Sequence, residues 1–157
     1  MNGKLVIFTT ACLLCLACTW CKTAPGPEPY QVSKQTYDTA FREIYDFIEK
    51  IQGIMDKADY KAWRSILSPA YINKYGDPRY LKQISEEPSL KNKGIVLSGL
   101  RDYFLYVFIP SRTGIKMDKI EFIDSDHVKV IAIVNNTGYV IYLLKRTGIN
   151  KWEIGVW

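Results

Sequence analysis

KIEFIDSDHVKVIAIVNNTGYVIYLLKRTGINKWEIGVW, residues 119–157, decides the class of fold. Within it KIEFID (119–124), VKVIAIVN (128–135), YVIYLLK (139–145) and KWEIGVW (151–157) are rich in β-branched and aromatic residues that alternate with a period of two. The segments SDH, NTG and RTGIN that join them are turn formers, too short for a crossover, so the four strands predict an antiparallel meander. Asn135, Asn136 and Gly138 suit the left-handed dihedrals of a tight turn, and Gly148 suits the next one. In the second strand Val128, Val130, Ala132 and Val134 form one apolar face, while Lys129, Ile131 and Ile133 form a mixed one. Such a strand belongs to a curved sheet that packs on helices and encloses something, or to a plain helix-on-sheet sandwich with a well-covered second face.

Upstream, the period changes to 3.6. LRDYFLYVFI (100–109) is apolar almost throughout; its aromatic content fits a strand, but Ser98 can cap a helix from Gly99, and a helix is the preferred reading. Pro110, Ser111 and Gly114 end it. Tyr37, Phe41, Ile44, Ile48, Ile51 and Met55 recur every three or four residues and predict a long amphipathic helix from about Thr36 to Met55, with Arg42, Glu43, Asp46, Glu49 and Lys50 on its solvent side. A short helix is expected from Ala58 to Leu67, begun by Asp56 or Asp59. Ser68-Pro69 and Asp77-Pro78 each pair an N-cap with proline at the first helical position; Gly76 closes the first of these helices and Pro88 is expected to end the second. Helices followed by a curved antiparallel meander make the chain an α+β protein.

This order of elements, carried by MDKADYKAWRSILSPAY (55–71) and DHVKVIAIV (126–134), resembles the cone-shaped fold of the nuclear-transport-factor-two and ketosteroid-isomerase superfamily. The resemblance implies a cavity between the helices and the concave face of the sheet. Members of that superfamily include isomerases, dehydratases, binding modules and dimeric interaction domains, so the fold does not select a function. In the isomerases a tyrosine donates a hydrogen bond to an enolate and an acidic residue moves the proton. No active-site motif aligns with Tyr45, Tyr60, Asp102 or Tyr103, and the activity is not carried over.

All four cysteines, Cys12, Cys15, Cys18 and Cys21, stand at the N-terminus, so no disulfide staples the body of the protein. MNGK is a short basic n-region and LVIFTTACLLCLA (5–17) an apolar h-region, the layout of a secretory signal. Even extended to Cys21 the segment holds about 17 residues, at the lower limit for crossing a bilayer core of roughly 30 Å. Leu14-Cys15-Leu16-Ala17-Cys18 resembles a bacterial lipobox of the relaxed spirochaete kind. The resemblance implies cleavage after Ala17 and diacylglycerol on the Cys18 thiol, with Cys21 as the fallback. Alternatives are an uncleaved anchor or secretion without lipid. A zinc site at these cysteines is disfavoured, because apolar residues separate them and no second ligand pair accompanies them. Residues 1–17 are thus expected to be a signal peptide. Residues 18–34, with Pro25, Pro27 and Pro29, are expected to be a stiff tether, and 35–157 a single domain.

The net charge is +5, and removing residues 1–17 takes away Lys4 alone. The 21 basic residues are dispersed among 16 acidic ones without an arginine stripe or phosphate loop, so nucleic acid is not implied. A mildly basic surface is compatible with anionic lipid headgroups. Trp63, Tyr103, Phe104, Tyr106, Phe108 and Trp152 are either core or the lining of an apolar pocket. Asp102, inside the apolar run beside Arg101, is the carboxylate of interest if buried. His127, the single histidine, falls in a turn between Asp126 and the second strand and reads as incidental. No catalytic motif, metal site or cofactor motif appears. The favoured reading is an envelope lipoprotein facing periplasm or cell surface, bound to the membrane by its lipid. Its domain binds a small apolar ligand or another envelope protein; a cavity-containing isomerase-like or dehydratase-like enzyme and a structural envelope component are the alternatives.

Overall fold

The computed structural model describes residues 30–157, so the signal segment, the cysteines and most of the tether lie outside the described residues. Six helices precede a sheet: α1 (Lys34–Asp56), α2 (Tyr60–Arg64), α3 (Pro69–Tyr75), α4 (Pro78–Ser85), α5 (Pro88–Lys91) and α6 (Leu100–Tyr103). A π-helical turn, Phe104–Phe108, continues α6 without a break. Four antiparallel strands follow in meander order, β1 (Lys119–Phe122), β2 (His127–Val134), β3 (Thr137–Gly148) and β4 (Lys151–Ile154). None of the described helices is long and apolar enough to cross a membrane.

The long helix forms where its periodicity predicts. Ser33 caps it by accepting from the Thr36 N–H, and Ala40, Ile44, Ile48, Ile51, Ile54 and Met55 are buried. The next helix is shorter than expected at both ends. Ala58 takes a left-handed φ of 49° and reverses the chain, so the helix starts after Asp59, whose carboxylate accepts from the Ala62 N–H at 3.0 Å. It stops at Arg64 because the backbone beyond is claimed by the sheet: Ile154 N–H donates to Ile66 C=O at 2.8 Å, and Ser68 N–H donates to Ile154 C=O at 2.9 Å. Ser68 and Asp77 cap α3 and α4 with proline in the first turn, as read from the sequence. Pro88 does not merely end α4. It opens α5, the same proline-first arrangement used a third time.

Residues 100–108 are helical, not a strand, and the π-helical turn leaves Phe104 and Phe108 both fully buried. In the sheet, Ile120, Phe122, Val128, Val130, Ala132, Tyr142, Leu144, Trp152 and Ile154 alternate onto the face that meets the helices. Lys119, Glu121, Lys145 and Glu153 lie on the opposite face. The register shifts by a residue in β3 between its pairings with Ile131 and Val130, and again near Thr147, and these bulges bend the strand. Asn135 and Asn136, with φ of 50° and 60°, make the two-residue β2–β3 turn. Gly138 and Gly148 lie within the strand instead, and the left-handed position of the last turn is Asn150, with φ of 53°.

One charged tie fastens α1 to this sheet. Glu43 Oε2 lies 3.1 Å from the Arg146 guanidinium and accepts from Trp152 Nε1 at 3.2 Å, while Arg146 stacks over the Trp152 ring at 4.6 Å. Glu43, read from the sequence as solvent-facing, is therefore a cross-link between layers.

Candidate functional site

The space between helices and sheet is filled by aromatic rings. Trp63 stacks on Phe104 at 4.6 Å and meets Phe108 and Tyr71 edge-on at 4.9 and 6.0 Å, with no exposed surface. Offset and edge-on contacts at these distances each add about 0.5–1.5 kcal/mol to the burial itself. From this core a tyrosine cluster runs outward: Tyr71 to Tyr75 at 4.3 Å, Tyr75 to Tyr103 at 4.9 Å, and Tyr75 to Tyr80 at 5.2 Å.

The residues singled out from the sequence do not converge on one cavity. Trp63 and Tyr103 belong to the aromatic core, whereas Trp152 belongs to the Glu43 tie. Tyr106 is half exposed and lines a separate groove with Ile84, Leu90 and Pro110. Asp102 sits at the start of α6 and accepts from the Ser98 N–H at 2.8 Å and from the Ser98 hydroxyl. Those bonds hold its carboxyl below the usual range, so it is an ionised first-turn residue of α6 tied back to Ser98. His127 Nδ1 lies 2.8 Å from Asp124 Oδ2, and its ring meets Trp157 edge-on at 4.7 Å. No group of three or more metal-ligating side chains forms among the described residues.

Where the tyrosine cluster reaches the sheet it borders a cleft of about 280 Å³, between α3, the middle of β3 and the chain after β4. Tyr71, Lys74 and Tyr75 form one wall, Tyr142 and Ile154–Trp157 another, and Arg112 a third. Arg112 is held by the turn after the π-helical segment, where the Arg112 and Thr113 N–H groups both donate to Ile109 C=O. Its guanidinium stacks on Phe108 at 4.3 Å and lies 5.4 Å from the Tyr142 ring, and Nη1 donates to Ser111 Oγ at 2.8 Å. No carboxylate pairs with it among the described residues.

Polar valence is left open around this cation. The buried Nε of Arg112 and the buried hydroxyls of Tyr71 and Tyr142 have no hydrogen-bond partner among the described residues. The Tyr103 phenol lies beside that of Tyr71, and, secondary to burial, their contact pushes Tyr71 up and Tyr103 down. Burial pushes the Tyr71 and Tyr103 phenols well above the ordinary tyrosine range and Tyr142 to about 12, although Arg112 pulls all three down. All three are therefore neutral donors at physiological pH. Arg112, Tyr71 and Tyr142 escaped the sequence reading because Arg112 lies in a segment that reads as a helix stop and its two phenols come from distant elements. The one local signal was an arginine three residues beyond the end of an apolar run.

Helices laid over a four-stranded antiparallel meander, with a cationic, tyrosine-lined cleft at their junction, define an α+β domain. Over 125 residues the chain is 33% identical to an uncharacterized lipoprotein of Treponema pallidum (strain Nichols), a match covering 79% of this chain and 65% of that protein. The chain thus spans just under two thirds of that relative's length. No family model matches the chain, and no solved structure matches it.

Proposed function

We propose that the protein is a bacterial envelope lipoprotein, anchored by diacylglycerol on Cys18 after removal of residues 1–17, with a non-catalytic binding domain carried on the proline-rich tether. The observation that carries this reading is Leu14-Cys15-Leu16-Ala17-Cys18 at the end of an apolar h-region, together with similarity to a protein named a lipoprotein. The order of elements, a long helix, short helices and then a bulged meander, supports kinship with the nuclear-transport-factor-two and ketosteroid-isomerase superfamily. Binding is favoured over proton transfer because the cleft is lined by tyrosines, Arg112 and Lys74 and, among the described residues, by no aspartate, glutamate or histidine side chain.

Metabolic labelling with a fatty-acid probe, followed by intact-mass analysis, tests the anchor. Wild type should carry the label on a chain that begins at Cys18, and Cys18→Ser should abolish it. The same labelled species in the variant would move the anchor to another cysteine, and an unlabelled wild type would end the lipoprotein reading.

A further inference from the structure

We infer that the cleft beside Arg112 is a binding site for a small organic anion, one carboxylate or phosphate on a planar apolar body. This deepens the reading of the domain as a binding module and depends on it. Arg112 is partly buried, packed on the Phe108 ring with the Tyr142 ring beside it, and without a carboxylate partner among the described residues. A guanidinium so placed has given up much of its hydration, and proteins normally return that loss through a paired anion. Its planar fork matches the two oxygens of a carboxylate or phosphate, and its contact with the Phe108 ring leaves the other face free of aromatic cover from Tyr142. Lys74, on the same cleft, adds a second positive charge.

The neighbouring polar groups point the same way. Unsatisfied buried hydroxyls cost about 1–3 kcal/mol each, and two of them, on Tyr71 and Tyr142, belong to side chains that line the cleft. A phenol that stays protonated donates to an anion and cannot repel it. The volume, about 280 Å³, suits a body of benzoate size, and the remaining wall is apolar: Ile141, Ile154, Val156 and the half-exposed ring of Trp157. That composition selects against a bare inorganic ion and for an acid with an apolar ring or short chain.

The full chain, purified in a non-ionic detergent and labelled with nitrogen-15, is titrated with benzoate, phenyl phosphate, inorganic phosphate and neutral benzyl alcohol. Benzoate or phenyl phosphate should saturate, shifting the Arg112 Nε–H resonance and the amides of Ile154–Trp157; whichever binds tighter separates carboxylate from phosphate chemistry. Inorganic phosphate should bind at least tenfold more weakly. Arg112→Gln should weaken binding tenfold or more, whereas Arg112→Lys, which keeps the charge, should retain part of it, and a dispersed amide spectrum establishes that each variant is folded. Equal binding of benzyl alcohol and benzoate would overturn the anion proposal but leave a binding cleft. Failure of all four probes to saturate, or shifts that map elsewhere, would overturn both the proposal and the binding-module reading of this cleft, whatever the labelling of Cys18 shows.

Discussion

Replacing Glu43 by alanine should destabilise the fold by about 2–3 kcal/mol, an unusual cost for a charged residue on a helix that reads as amphipathic. At 3.1 Å the raw attraction between Glu43 and Arg146 is about 5 kcal/mol for an effective dielectric near 20. Desolvation and lost side-chain freedom take back more than half, leaving about 1–2 kcal/mol for a pair whose side chains are only 14% and 28% exposed. The Trp152 indole N–H, bonded to the same carboxylate oxygen, adds about 1–1.5 kcal/mol, because a buried donor would be left without an acceptor. Alanine's better helix propensity returns a few tenths. Glu43→Gln keeps an acceptor for Trp152 while removing the charge, so it should cost about half as much. The internal control is Asp38→Ala. Its bond to Lys34 is shorter, 2.7 Å, but the side chains are 48% and 88% exposed, and the loss should stay under about 0.5 kcal/mol. Urea unfolding followed by tryptophan fluorescence resolves these differences, since 2–3 kcal/mol moves the midpoint by roughly 1 M or more. If Glu43→Ala and Asp38→Ala cost the same, or if Glu43→Ala and Arg146→Met combine additively, then Glu43 contributes no tie between α1 and the sheet and the reasoning fails.

Ser68→Ala should cost about 1–2 kcal/mol in the same assay, because the buried hydroxyl caps α3 by accepting from the Tyr71 N–H at 3.1 Å; an unchanged midpoint would show that water replaces the cap. Alkaline pH should unfold the protein through its buried phenols. Tyr142 is raised from 10.0 to about 12, and burial raises Tyr71 and Tyr103 as well. A raised folded-state value means that the folded form holds the proton more tightly, so this stability is full below pH 10 and drains away as pH climbs from about 10 through 12 and beyond. Phenolate absorbance should therefore rise in two stages, exposed tyrosines first and the buried set together with loss of the near-ultraviolet dichroism. A single smooth titration of a still-folded chain would contradict the burial of these three hydroxyls.

The local patterns carried most of the architecture. Period-two alternation placed all four strands, and the spacing of Ile44, Ile48 and Ile51 placed α1, because one-sided burial imposes those repeats whatever lies on the other side. Ser68-Pro69 and Asp77-Pro78 placed two helix starts, because a cap is satisfied within three residues of itself. The departures share a non-local cause. The helix expected up to Leu67 ends at Arg64 because Ile154, far along the chain, takes the backbone groups of Ile66 and Ser68. Gly148 looked like the turn residue, yet a bulge beside it moved the turn to Asn150.

The site shows the same division more sharply. That Cys18 follows a small residue at the end of an apolar segment is a property of contiguous sequence, legible without any knowledge of the fold. Arg112, Tyr71 and Tyr142 carry no such mark, and three separate elements must pack before they border one cleft. Sequence by itself determined the α+β class, the cysteine-free body and the candidate attachment point, since each depends on composition or short-range spacing. Only the tertiary structure decided that Glu43 faces inward, that Asp102 binds back to Ser98 and that an arginine without a carboxylate partner among the described residues stands among neutral phenols. Charge pairing and burial depend on which surfaces meet, and a one-dimensional pattern does not contain that information.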